Sequence, residues 1–203
     1  MRTSGIVFAG FLVAAFGSGA ARAATTTHVV ESGSGASINT FFTSADGCIQ
    51  IAVFIDPATS VTRGSGPASA GMDLSMFYDD LCNDIFEFGF VTTSLTNEFQ
   101  LGNGNHSATL NVTVPITTFG EEDQHDRVVV ANVQLQATSD TSSGNTQTRF
   151  EGSGLKEISN GHSTSTVANL TGQISVDGIQ LLPDGFVTAS IETSMSVSLF
   201  LTR

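Results

Sequence analysis

Apolar and polar side chains alternate one by one through three long stretches of the chain. In Cys48–Asp56, Ile49, Ile51, Val53 and Ile55 share one face, while Gln50 and Ala52 share the other. In Ser107–Ile116, Ala108, Leu110, Val112, Val114 and Ile116 alternate with Ser107, Thr109, Asn111 and Thr113. From Phe186 to Leu201, Val187, Ala189, Ile191, Met195, Val197, Leu199 and Leu201 oppose a row of Ser, Thr and Glu192. A period of two sends successive side chains to opposite faces of a strand, so these stretches predict half-buried β-strands. No stretch carries the i, i+3, i+4 spacing of an amphipathic helix.

The same reading predicts strands at Thr26–Glu31, Ile38–Thr43, Met72–Tyr78, Ile85–Thr93, Arg127–Ala137, Thr148–Glu151 and Ser165–Val176. Clusters of Gly, Ser, Asn and Asp lie between them and read as turns: SGSGAS, RGSGPASAG, GNGNH, SDTSSGN, SNGH and LPDG. About ten short strands with this punctuation predict an all-β, antiparallel β-sandwich or closed barrel. One face of each strand is polar, which suits a sheet packed on one side. A single domain over 24–203 is expected. The alternative is a split into two subdomains near 118–126, where GEEDQHD interrupts the pattern, although no residue-level repeat supports it.

The first residues depart from the alternation. Arg2 precedes the apolar run Gly5–Phe16, and Ala21-Arg22-Ala23 places small residues where a signal peptidase reads them. This predicts a signal peptide over 1–23. The run is shorter than the ~20 residues that span a bilayer. The expected product is secreted, periplasmic or held at the cell surface, with no membrane span after cleavage. Cleavage removes Arg2 and Arg22, leaving 5 basic against 19 acidic residues and a formal charge of −14 (5 − 19). The remaining cations are scattered, whereas nucleic-acid binding requires them clustered. Nucleic acid and anionic membranes are therefore excluded as partners.

Export also decides how the two cysteines read. In an oxidising compartment, Cys48 and Cys82 have only each other to pair with. Cys82 lies in YDDLCND, at the tip of the hairpin predicted between Met72–Tyr78 and Ile85–Thr93. Its neighbours Asp79, Asp80, Asn83 and Asp84 offer hard oxygen ligands of the kind calcium takes, with Glu87 close behind. The spacing is not that of an EF-hand, and aspartate and asparagine are also ordinary turn residues. A second acidic group, Glu121, Glu122, Asp123, His125 and Asp126, has histidine between carboxylates but no H-x-x-x-H or C-x-x-C spacing. Calcium is the one ion these turns suggest, and no other cofactor is implied.

Catalytic patterns are missing. G-x-S-x-G and H-E-x-x-H do not occur, the lone S-x-x-K match at Ser153–Lys156 has no S-D-N or K-T-G beside it, and His28, His106 and His162 share no motif. A carboxylate pair for glycoside hydrolysis would be uninformative among 19 acids. Sugar recognition by ring stacking is disfavoured, because Trp is absent and Tyr78 is the sole tyrosine among 15 Phe. The same lack of Trp and Tyr girdles weighs against a small outer-membrane barrel. Sequons at Asn105, Asn111 and Asn169 mark acceptors for N-glycosylation in a host that performs it. The expectation is a non-catalytic structural or binding module with an unidentified protein or surface partner. Its alternatives are a calcium-dependent adhesion or carbohydrate module, a secreted hydrolase and the membrane barrel.

Overall fold

The computed structural model describes residues 25–63, 68–121, 123–152, 155–182 and 185–202. The expected signal peptide lies outside them. The described residues are nearly all antiparallel β, with one 3-10 turn among them at Asn103–Asn105. Its strands are β1 (Thr25–Thr43), β2 (Ile49–Thr62), β3 (Ser69–Asp80), β4 (Ile85–Ser94), β5 (Phe99–Leu101), β6 (Ser107–Phe119), β7 (Gln124–Gly152), β8 (Leu155–Val176), β9 (Ile179–Gln180) and β10 (Phe186–Thr202).

All ten belong to one sheet, nine of them in the order β10-β1-β2-β3-β4-β6-β7-β8-β9, while β5 pairs with β6 beside this path and β10 also pairs with β8. That pairing turns the sheet back on itself into a ring, although not a barrel. The weak place is the β4–β6 seam, where only Phe88↔Phe119 and Gly89↔Thr118 are paired. Gly89 is part of the reason the strands meet at all. A Cβ there would lie 2.8 Å from the Thr117 carbonyl oxygen and 2.9 Å from the Thr118 methyl.

The predicted alternation sets inside and outside. Ile51, Val53 and Ile55 of β2, Leu74 and Met76 of β3, Leu110 and Ile116 of β6 and Val129 and Ala131 of β7 are buried in one continuous core. Buried residues on both sides of 120–123 join that core. This loop is the turn of the β6–β7 hairpin, closed by the Gly120 amide on the Asp123 carbonyl at 2.9 Å. Burying an aliphatic side chain contributes ~1.5–3 kcal/mol, so the alternating face drives closure. Buried Thr40 satisfies its hydroxyl on the Val53 carbonyl.

The strands are divided differently from the sequence expectation. SGSGAS lies within β1 and is not a turn, because its glycines serve close approach. A Cβ on Gly35 would meet the Pro57 carbonyl oxygen at 2.6 Å, and one on Gly33 the Ser194 hydroxyl at 2.9 Å. SDTSSGN is likewise a register shift between Ala137 and Thr141 followed by more strand, and SNGH is inside β8. Arg127–Ala137 and Thr148–Glu151 are thus parts of the one strand β7. Small polar residues can extend a strand when both neighbours complete its ladder, as β7 and β10 do for β8. GNGNH does turn, around the 3-10 segment.

β4 turns its aromatic side outward. Glu87, Gly89 and Val91 point inward, and Phe86, Phe88 and Phe90 point out. Both inward residues have partners: Gly89 admits β6, and Glu87 meets a cation inside the ring.

Candidate functional site: a buried ion-pair cluster and an outer aromatic band

Glu87 is only 1% exposed. Arg127, from the start of β7, donates Nε to its Oε2 and Nη2 to its Oε1, both at 2.8 Å. The Thr118 hydroxyl of β6 donates to Oε2 at 2.6 Å, and His125 Nδ1 lies 3.0 Å from Oε1. Arg127 also donates Nη1 to Asp177 Oδ2 at 3.0 Å and stacks 3.7 Å above the Tyr78 ring. Asp177, in the β8–β9 turn, accepts the Val128 amide through its other oxygen.

The Arg127 hydrogen bonds hold the Glu87 carboxyl below the usual glutamate range. They outweigh burial, which acts in the opposite direction, and Thr118 and the neighbouring positive charge add to them. The cluster therefore spans β3, β4, β6, β7 and the β8–β9 turn where the ladder is thinnest. It closes the ring with side chains. Oε1 accepts from Arg127 and Oε2 from both Arg127 and Thr118, so the Glu87 carboxylate anchors the seam.

The opposite surface of the same strands is aromatic. Phe186 of β10 faces Phe41 of β1, Phe77 of β3 faces Phe88 of β4, and Phe88 faces Phe119 of β6. Phe54 of β2 bridges the gap, edge-on to Phe41 at 5.5 Å and to Phe77 at 6.0 Å. Phe77 and Phe88 lie 4.9 Å apart. Phe86 and Phe90 widen the row on β4. Phe41, Phe77, Phe86, Phe88, Phe90, Phe119 and Phe186 remain 38–66% exposed. At ~200 Å² per ring this leaves roughly 700 Å² of aromatic surface in water. The largest apolar patch on a typical monomer is ~300–600 Å².

The disulfide borders this band. Cys48 and Cys82 are joined with their Cα atoms 5.2 Å apart, as the two-cysteine argument requires. The bond ties the β1–β2 turn to the β3–β4 turn, and the Leu81 amide on the Cys48 carbonyl reinforces it. Both turns sit at the ends of the strands that carry Phe41, Phe54, Phe77 and Phe86.

The acidic candidates fall in three places. Asp80 turns its oxygens onto its own hairpin tip, accepting the Cys82 and Asn83 amides and the Asn83 side chain. Asp84 adopts a positive φ of 55° in that turn, while Asp79 stays on β3 opposite Phe86. Glu121 and Asp123 are exposed at the β6–β7 turn, and Asp126 accepts from Thr117. Glu122 lies outside the described residues. His125 leaves this group for Glu87. Among the described residues, no three His, Cys, Asp or Glu side chains gather as a metal site needs.

Of the sequons, Asn111 and Asn169 are exposed on strands, while Asn105 is half-buried and its amide donates to Ser34. A groove of about 450 Å³ on the β7–β8–β10 side is lined by Asn145, Gln147, Asn160, His162, Met195 and Val197, with no Phe, Tyr or Trp in its wall.

Sequence reasoning passed over Arg127, Asp177 and the outward Phe row. A lone glutamate between Phe86 and Phe88 was the available signal, since a charge within an apolar strand needs a partner.

One more pair bears on stability. Asp56 and Asp73 face each other directly across β2 and β3. Burial holds the Asp56 carboxyl above the ordinary aspartate range, and the Asp73 charge adds to this against a hydrogen bond from Ser37. An acid raised on folding binds its proton more tightly in the folded state. Its contribution to stability therefore falls as pH rises from the unfolded value through the folded one. Asp56→Asn is expected to stabilise the protein at pH 7 by ~0.2–1 kcal/mol, the range for opposed like charges. The gain should vanish below about pH 3, where the unmodified carboxyl is already neutral. Urea denaturation at the two pH values checks it.

No family model matches the chain, and no curated protein matches it. Among the described residues no helix is long and apolar enough to cross a membrane.

Proposed function

We propose that the chain is an exported, non-catalytic binding module whose recognition surface is the outer aromatic band. The observation that carries this reading is the ~700 Å² of aromatic surface left in water, close to the ~800 Å² that one partner contributes to a standard interface. Leaving that much apolar area uncovered costs solubility, so its placement on rigid, disulfide-tied strands favours use. The alternatives gain less support. Glu87 has both oxygens committed, which disfavours it as a hydrolytic acid or base. The Asp80 oxygens serve their own turn, which disfavours calcium-dependent adhesion there. The ring buries Ile, Leu and Val inside and carries Thr109, Asn111, Asn132 and Gln134 outside. A membrane barrel has the reverse polarity.

The folded mature chain is expected to enhance ANS fluorescence at neutral pH without any loss of near-UV signal. Phe86→Ser/Phe90→Ser/Phe119→Ser should remove about half of that enhancement and leave the melt nearly unchanged. Equal enhancement by this variant and the parent would sink the reading.

A further inference from the structure

The aromatic band has an edge of one sign. On the outer face, Asp79 stands opposite Phe86, towards the hairpin tips. On the other side Asp73 and Asp56 face each other, and Asp126 lies beside Thr117 near Phe119. Along β3, Asp73 and Asp79 are separated by ~20 Å at ~3.3 Å per residue. The described cations are elsewhere: Arg127 is turned inward onto Glu87, Arg149 and Lys156 lie far out on the β7–β8 hairpin, and Arg63 follows the far end of β2.

From this arrangement we infer that the band receives a polypeptide with an apolar centre flanked by lysine or arginine. The inference rests on the reading of the band as the recognition surface. The Phe rings would cover the partner's apolar side chains, and cations on either side would reach Asp79 at one edge and Asp56, Asp73 and Asp126 at the other. Cations also favour the faces of exposed aromatic rings. The opposed Asp56 and Asp73 sharpen the preference, because a cation placed between them relieves their repulsion. A second copy of the chain would instead bring acidic borders together on a molecule of formal charge −12 before export. Like-charge juxtaposition across an interface costs several kcal/mol. An anionic lipid surface meets the same repulsion.

The test uses the mature, oxidised protein and fluorescence anisotropy of two dansylated peptides. Both have a leucine–phenylalanine centre; one has lysine flanks and the other glutamate flanks. The lysine peptide is expected to bind at least ~10-fold tighter than the glutamate peptide, with salt weakening it. Asp73→Asn/Asp79→Asn should narrow that ratio, and Phe86→Ser/Phe90→Ser/Phe119→Ser should abolish binding of both. If both peptides bind the parent equally and the Phe variant loses both, the band remains a recognition surface and the cationic partner is wrong. If the Phe variant binds the lysine peptide as tightly as the parent, the attraction is bulk charge and both readings fall. A dimer in sedimentation that the Phe variant dissociates overturns the assignment in favour of a second copy. Phosphatidylcholine vesicles retained by the parent alone overturn it in favour of a neutral lipid surface. Failure of the lysine peptide to bind also overturns it, while the ANS result judges the band independently.

Discussion

Glu87→Ala is expected to lower stability by ~3–5 kcal/mol, the cost of breaking a buried ion pair by removing one partner. The substitution leaves the Arg127 guanidinium, itself only 16% exposed, without the carboxylate that takes two of its donors. It also leaves the Thr118 hydroxyl with only the His125 carbonyl at the β4–β6 seam, where backbone pairing is confined to two residue pairs. For a domain of this length, the loss corresponds to roughly 6–20 °C in Tm. Glu87→Gln should fall between, because the amide keeps the volume and part of the hydrogen bonding. Arg127→Met/Glu87→Leu should lose much less than Glu87→Ala, since it leaves neither charge unpaired.

The same residue has a pH signature. The Glu87 carboxyl is held below its ordinary range, so the folded state binds its proton less readily than the unfolded chain. Stability from this group is fully present above the unfolded value of ~4.3 and is lost as pH falls through the folded value. Acid unfolding of the parent should steepen below about pH 4.3, and Glu87→Gln should flatten that segment. Asp56 and Glu192, both raised by burial, slope the opposite way. A Glu87→Gln profile parallel to the parent's would show that the cluster contributes nothing through its charge.

Removing the Cys48–Cys82 bridge is expected to cost roughly 3–4 kcal/mol, from loop-closure entropy over a sequence separation of 34. That is a large share of a typical 5–15 kcal/mol. Cys48→Ser/Cys82→Ser, or reduction of the parent, should lower Tm by roughly 6–16 °C. The effect acts mainly on the unfolded chain, so far-UV spectra of folded parent and variant should agree. The Leu81 amide still bonds the Cys48 carbonyl, and the two turns should keep their register. An unchanged melt after verified reduction would show that the turns are already tied by other contacts. The two losses should add within a few tenths of a kcal/mol if the disulfide and the Glu87 cluster share no partner.

Much of this architecture was legible beforehand, and particular residues show where legibility stopped. Ile49 to Ile55 and Ala108 to Ile116 declare their strands and their inner faces, because a period of two needs only the local chain. The disulfide followed from count and compartment. SGSGAS failed as a turn because Gly33 and Gly35 answer to neighbours in β10 and β2 that a local reading does not contain. The GEEDQHD group dissolved for the same reason. His125 points to Glu87, while Asp126 stays on the outer face with Thr117.

Local alternation, then, determined that the chain is antiparallel β and which side chains share a face, since both follow from backbone geometry within a strand. It could not decide which face of β4 is inside, because each face has a claim: three phenylalanines on one, a glutamate and a glycine on the other. Tertiary contacts decided it. Arg127 lies 40 residues from Glu87 and Asp177 lies 50 from Arg127, and only ring closure brings them together around the carboxylate. Once that pair and Gly89 hold the inner face at the seam, the aromatic rings have nowhere to go but out. The aromatic band is thus a consequence of long-range packing, because burying a charge requires its partner, whereas an exposed ring requires none.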